Sequence, residues 1–246
     1  MSKGLGLLVE EVGKGFTFPS EPIASGTAAK IQDEPSQGQR FSNEESLQLV
    51  QRLFFVQAEE SPRVVAFAGI EESEGCSSIC AAVAETLARI TPGTVCLLEA
   101  NFRMPTLPTF FASTKQGFNE ALHREGPIRS FATQVSPGNL WFIAAGTLTM
   151  DSPGALGLQS LRTRLAELRS QFDYVIIDVA PLNRYADALS IGRWIDGMVM
   201  VLEANTTRRE TAQNVVQSLR SAHIDILGAV LNNHTSAIPA RVDRKL

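Results

Sequence analysis

Ala68-Gly69-Ile70-Glu71-Glu72-Ser73-Glu74-Gly75-Cys76-Ser77-Ser78 is the stretch that decides the fold. It follows the apolar run Val64-Val65-Ala66-Phe67 and leads into the helical pattern Ile79-Cys80-Ala81-Ala82-Val83-Ala84. Strand, tight loop and helix in that order form the setting of a phosphate-binding loop in a nucleotide-binding α/β domain. Such a loop works because small residues let backbone N–H groups wrap phosphate oxygens while one lysine neutralises their charge. Gly75 and Ser77 fill required positions, but Cys76 stands in the lysine's place and Ser73 where a second glycine is expected. Glu71, Glu72 and Glu74 bring negative charge to the turn. At an effective dielectric near 20, each like-charge pair about 4 Å apart costs roughly 4 kcal/mol. The loop therefore argues against tight nucleotide binding, although the helix start with Ser77 and Ser78 suits a weakly held anion.

Outward from the loop the chain alternates. Ser42-Asn43-Glu44-Glu45 reads as a capping box, and Leu49, Val50, Leu53, Phe54 and Val56 recur at helical spacing until Pro62. Strands are expected at 63–68, 94–100, 140–144, 174–177, 197–202 and 226–231. Helices are expected at 77–90, 118–123, 153–170, 187–194 and 207–222, with Leu156, Leu158, Leu161, Leu165 and Leu168 as the apolar face of the third. Continuous β-branched strands alternating with helices indicate a doubly wound, mainly parallel α/β sheet with helices on both faces, a single domain over residues 42–235. Residues 1–41, rich in Gly, Ser, Pro, Gln and Glu, read as a flexible N-terminal arm, and residues 236–246 as a C-terminal tail. Open sheets bind ligands beyond the carboxyl ends of their strands, so 69–78, 99–103 and 178–184 are expected to converge.

With 44% hydrophobic and 20% charged residues, the 246-residue chain has the composition of a globular protein with a proper core. A net charge of −4 gives no electrostatic case for nucleic acid. Apolar runs fall far short of the roughly 18–20 residues of a membrane span, and the N-terminus does not read as a secretory signal, so a cytoplasmic protein is expected. Cys76, Cys80 and Cys96 are too few for a disulfide framework. Cys76 and Cys80 share a helix face, the spacing of a metal or redox pair, but zinc takes about four ligands and His123, His223 and His234 show no ligand spacing near them. Reduced, partly buried thiols are the reading, and the glutamates beside Cys76 oppose a nucleophilic role.

Glu99-Ala100-Asn101-Phe102-Arg103-Met104-Pro105 resembles the Asp-x-Asp-x-Arg-x-Pro segment of the bacterial tyrosine kinases of capsule and exopolysaccharide synthesis. Phe172-Asp173-Tyr174-Val175-Ile176-Ile177-Asp178-Val179-Ala180-Pro181 is similar to the Walker B segment of that family, itself a branch of the MinD/ParA-like P-loop ATPases. Gly146 with Ser152-Pro153, Ala186-Asp187-Ala188, Asp196-Gly197, Thr207 and Leu231-Asn232 fit the same pattern, which covers about residues 42–234. The resemblance implies Mg-ATP at the phosphate loop, subunit rings, and phosphorylation in trans of a tyrosine-rich tail. It also implies work beside a membrane polysaccharide co-polymerase that controls chain length.

Residue by residue, the chain departs from that pattern. Of the aspartates that the resemblance places around magnesium and the attacking hydroxyl, two are Glu99 and Asn101; only Asp178 remains, with Ser77 the other possible metal ligand. Asn101 cannot act as a base or offer full charge to a hard cation. Arg103 and Asn232 are further candidates for the nucleotide site, Arg103 alternatively pairing with Asp178 or Glu99. Glu45, Gln48 and Gln51 stand where a Glu-x-x-Arg-x-x-Arg ring motif is implied, and the tail after Asn233 holds no tyrosine; Tyr174 and Tyr185 are the only two in the chain. The expectation is a degenerate, non-catalytic pseudokinase that scaffolds or regulates exopolysaccharide or capsule synthesis and export through a chain-length regulator, without nucleic acid, reaching the inner membrane face only through its partner. Neither ATP nor magnesium is expected as a cofactor. The alternatives are an active ATP-dependent tyrosine kinase or ATPase with a deviant loop, binding ATP and magnesium, and a MinD/ParA-like positioning ATPase.

Overall fold

The computed structural model describes residues 3–8, 43–55, 61–112, 116–135, 138–147 and 157–235. Its strands are β1 (Lys3–Leu8), β2 (Val64–Gly69), β3 (Val95–Ala100), β4 (Thr133–Gln134), β5 (Leu140–Ile143), β6 (Tyr174–Val179), β7 (Gly197–Glu203) and β8 (Ile226–Thr235). The α-helices are α1 (Asn43–Phe54), α2 (Cys76–Ile90), α3 (Phe118–His123), α4 (Leu158–Gln171), α5 (Asp187–Gly192) and α6 (Arg209–Ser221). The strands form one sheet in the order β1-β8-β7-β2-β6-β3-β5-β4. The six strands from β8 to β5 run parallel, and the outer β1 and β4 are antiparallel to their neighbours.

Both faces of the parallel strands are covered. On β2, Val64, Ala66 and Ala68 belong to one apolar cluster, while Val65 and Phe67 belong to the other. The first cluster is closed by α3, α4, α5 and α6 through residues such as Leu122, Leu165, Ile191 and Val216. The second is closed by α1 and α2 through Leu49, Leu53, Ile79 and Leu87. This two-sided burial is why the strand sequences are continuously apolar instead of alternating. The same period of two puts Asp178 and Glu99 on the α2 face, since they share parity with Ile176 and Leu97.

Local differences from the sequence expectation have local causes. Lys3–Leu8 lies in the stretch read as a flexible arm, yet it forms β1, pairing with β8 across Leu7–Val230 and Leu8–Ala229. Its Gly-Leu repeats carry no polar–apolar signal; the open edge of β8, with backbone groups to satisfy, supplies the order. Thr133–Gln134 is too short to show a period at all. Leu158, assigned to the buried face of α4, is 59% exposed at the helix start, whereas Leu161, Leu165 and Leu168 are buried. Helix α6 begins at Arg209 and not at Thr207, because the Thr207 hydroxyl accepts a hydrogen bond from Glu203 N (2.8 Å) and is used elsewhere. The proposed capping serine Ser42, the segment Ser152-Pro153 and residues 236–246 lie outside the described residues. Among the described residues no helix is long and apolar enough to cross a membrane.

Leu168→Ala should cost about 2–5 kcal/mol in urea unfolding, the range for a fully buried leucine. Leu158→Ala should change stability by less than about 0.5 kcal/mol.

Candidate phosphate-loop site

Strand β2 delivers the chain to the loop at Gly69, and α2 takes it up at Cys76. Between them, Ser73 (φ 65°) and Gly75 (φ 79°) both hold left-handed backbone. Ser73 thus keeps the path that the expected glycine would follow, at a cost of roughly 1–2 kcal/mol for a residue with a Cβ. At Gly75 glycine is obligatory twice over, since a Cβ there would run into Asn232 Nδ2.

The loop is held in shape by Glu74, which is 2% exposed. Its Oε2 accepts hydrogen bonds from Ile70 N (2.6 Å) and Glu71 N (3.0 Å), two donors of the loop itself. Its Oε1 accepts one from the Thr207 hydroxyl, and its backbone carbonyl accepts one from Asn232 Nδ2 (2.9 Å). Burial raises the Glu74 pKa, and these hydrogen bonds act against that rise. The carboxylate that looked like a repulsive wall for phosphate therefore faces inward, toward backbone donors. Glu72 faces outward and pairs with Arg184 (3.0 Å). Neither the Thr207 nor the Arg184 contact was foreseeable, as both partners lie more than a hundred residues from the loop.

Beside the loop is a cleft of about 370 Å³ lined by residues 69 and 71–78, together with Asn101, Met104, Thr106, Thr109, Phe110, Asp178, Val179 and Pro181. None of these residues is a lysine, arginine or histidine, while four are carboxylates: Glu71, Glu72, Glu74 and Asp178. The three expected segments do converge, but two of their named residues miss the cleft wall. Glu99 is fully buried and spends both oxygens on backbone N–H groups, those of Thr106 (2.7 Å), Leu107 (2.8 Å) and Ala145 (3.2 Å). Burial raises its pKa in spite of these bonds. Arg103 pairs with Asp187 (3.6 Å) and lies over the Tyr185 ring, not beside Asp178 or Glu99. Asn101 accepts from Met104 N (3.2 Å), shaping its own turn. Asn232 braces the back of the loop.

Asp178 is the one carboxylate at the bottom of the cleft that has not been turned to backbone. It is 1% exposed, its Oδ2 accepts from Ser77 Oγ (2.5 Å), and its Oδ1 has no hydrogen-bond partner. Burial, with a smaller push from the Glu99 charge, brings its carboxyl up to about 7 against the pull of the Ser77 bond and of the nearby thiols of Cys76 and Cys80. The Cys80 hydrogen bond lowers the Cys76 pKa, but burial and the Asp178 charge outweigh it and push that thiol up to about 11. Cys76 is thus a poor nucleophile, in keeping with the sequence reading.

These residues do not fit Mg-ATP. A triphosphate would meet a cleft in which the described lining residues include no cationic side chain, with Glu71 at the turn, Asp178 at the floor, and two loop N–H groups already bound by Glu74. Ser77 and Asp178 supply the hydroxyl and the carboxylate with which a phosphate loop holds magnesium, water and phosphate providing the remaining oxygens, so the misfit lies with the charge of the phosphates.

Strand order, loop and covered sheet together define a P-loop NTPase-like domain. No protein-family model matches the chain. Its homologues are bacterial tyrosine-protein kinases. One is YwqD of Bacillus subtilis, 26% identical over 139 residues that make up 56% of this chain and 59% of that protein. Another is CpsD of Streptococcus pneumoniae, 24% identical over 172 residues, 69% of this chain and 75% of that one. The succinoglycan biosynthesis transport protein ExoP of Rhizobium meliloti is 27% identical over 174 residues, 69% of this chain but 22% of ExoP. Among solved structures, the kinase domain of the Escherichia coli tyrosine kinase ETK has a TM-score of 0.73 at 20% identity, covering 80% of this chain and 78% of that one. MinD of Pyrococcus horikoshii, solved with Mg-ADP, has a TM-score of 0.57 at 14% identity, covering 68% of each chain.

Two outcomes check this geometry. Glu74→Ala strands Glu71 N and leaves Ile70 N with only its second acceptor, Val201 O (3.1 Å), and should cost about 1–3 kcal/mol in denaturant unfolding. For Asp178 the folded pKa of about 7 exceeds the ordinary 3.8, so the folded chain holds a proton that the unfolded chain has lost between these values. Its contribution to stability therefore declines as pH rises through that window. Asp178→Asn should gain roughly 1–3 kcal/mol on the wild type at about pH 8, and lose most of that advantage at about pH 4.

Proposed function

We propose that the chain is a non-catalytic relative of the polysaccharide tyrosine kinases, a scaffolding or regulatory protein of exopolysaccharide or capsule synthesis that acts by protein contact. The observation that carries this reading is the cleft at the loop, whose lining among the described residues includes four carboxylates and no cationic residue. A working site must neutralise developing phosphoryl charge, and electrostatic stabilisation of that kind is usually the largest part of phosphoryl-transfer catalysis. The tyrosine supply supports the same reading. Tyr174 sits on β6 with its ring edge-on to Phe54 (5.6 Å), and Tyr185 lies under Arg103. Gln48 and Gln51, in place of the ring arginines, lie exposed on α1.

The link to polysaccharide synthesis rests on the homologues, one of which is named for succinoglycan biosynthesis and transport. The partner this implies is a membrane polysaccharide co-polymerase or chain-length regulator, which would bring the chain to the inner membrane face. Exposed Met104 (51%) and Phe110 (45%) rim the cleft and would suit a protein surface better than a nucleotide.

Calorimetric titration with ATP and magnesium tests the reading. The unmodified chain should give no micromolar binding, and Cys76→Lys alone should not create it, because the carboxylates remain. Micromolar affinity in the unmodified chain would overturn the proposal in favour of an active ATPase or kinase.

A further inference from the structure

The position where a phosphate loop carries lysine is occupied here by one of two thiols on the same helix face. Cys76 and Cys80 are four residues apart on α2, so their side chains stand one above the other. Beneath them, at the end of β6, is Asp178. The two sulfur atoms and a carboxylate oxygen of Asp178 all lie within 4.8 Å of one another. This is a group of three donors from two elements that pack together in the core.

The environment of Asp178 points to a ligand. The side chain is 1% exposed, one oxygen is bound by Ser77, and Oδ1 has no hydrogen-bond partner. Buried polar atoms are nearly always satisfied, and an exception calls for an explanation such as an ion. Among the described residues no lysine, arginine or histidine lines the cleft to offset this charge. The groups that oppose it besides Ser77 are the two thiols, which are weak donors.

We propose that Cys76, Cys80 and Asp178 form a zinc site, with Cys76 Sγ, Cys80 Sγ and Asp178 Oδ1 as ligands. A tetrahedral zinc with bonds of about 2.3 Å to sulfur and 2.1 Å to oxygen spaces its ligand atoms about 3.5–3.8 Å apart. The donors need only close in by rotation of side chains to reach that spacing. Two thiolates favour a soft or borderline metal over magnesium or calcium, and a carboxylate beside them favours zinc over copper(I). Binding exchanges the two thiol protons for the metal, which coordination readily accomplishes even for thiols of raised pKa. Cys76 lines the cleft, so the ion enters from there, and the fourth position faces the cleft for a water molecule. Two thiolates and a carboxylate outweigh the ion's charge. The loaded site is therefore anionic, and does not stand in for a lysine toward polyphosphate. Its effect is to tie the first turn of α2 to the end of β6.

The test uses the full chain, reduced and stripped with a chelator, then titrated with zinc against a metal-binding dye and with cobalt(II) by absorption. The expected result is one zinc per chain, a cobalt spectrum with thiolate charge-transfer bands, and a higher Tm with zinc. Cys76→Ser, Cys80→Ser and Asp178→Asn should each weaken zinc binding by more than about 100-fold, beyond the 10–100-fold loss expected for a group that only orients a ligand. Cys96→Ser, which removes a core thiol on the other face of the sheet, should leave it unchanged. Asp178→Asn keeps the shape of the side chain, and its fold is checked by circular dichroism at equal concentration. Zinc binding that survives Asp178→Asn, that depends on Cys96, or that lowers the Tm by favouring the unfolded chain would overturn the site, as would the absence of stoichiometric binding.

Discussion

The bond on which this site depends is the one from the Glu74 carboxylate to the N–H groups of Ile70 and Glu71. A loop between a buried strand and a helix must place several backbone donors away from water, and each needs an acceptor. In a nucleotide site a phosphate can serve. Here the chain supplies an acceptor of its own, fixed in turn by Thr207 and by Asn232. Once those contacts exist, the left-handed turn at Ser73 and Gly75 follows, α2 starts where it does, and Ser77 meets Asp178. The loop is shaped from behind, by residues of β8 and of the turn before α6.

That arrangement separates shape from charge. Likeness to the ETK kinase domain and to MinD needs only the backbone path, and the left-handed turn of the loop is present even at Ser73. Binding a polyphosphate needs compensating positive charge, and the described residues of the cleft wall offer none. Arg184 and Arg103 are near in sequence terms to strand ends, but both are engaged with acidic partners, Arg184 with Glu72 of the cleft wall and Arg103 with Asp187 outside it. Backbone geometry and electrostatics have thus diverged: the fold matches, while the described residues of the cleft offer no cationic side chain to a polyphosphate.

The architecture was legible because it rests on periodicity. Runs such as Val64–Phe67 and Tyr174–Ile177 are too uniformly apolar for a half-exposed sheet, and they alternate with helical faces, so a parallel sheet covered on both sides is the economical solution. β1 and β4 were not legible. One is Gly-Leu repeat and the other two residues long, and both are ordered by a neighbouring strand's edge instead of by their own pattern. The site was legible in its parts list but not in its orientations. Spacing brought Glu74, Glu99, Asn101 and Asp178 to one end of the sheet. It could not reveal that Glu74 and Glu99 turn to backbone donors while Asp178 does not, because those partners are distant in the chain or belong to loops without regular structure.

At Asp178 the shape of the site and its charge meet. Burying a carboxylate with one oxygen unpartnered costs several kcal/mol unless something offsets its charge. Glu74 and Glu99 avoid that cost by accepting backbone N–H bonds, so the fold has the means to satisfy a buried acid. It does not use them on Asp178, which instead faces two thiols and a serine. Asparagine would fill the same space without that penalty, so above about pH 7 the carboxylate costs the fold stability. Beside it on α2 stand the two thiols, side chains that, like a carboxylate, can ligate a metal ion.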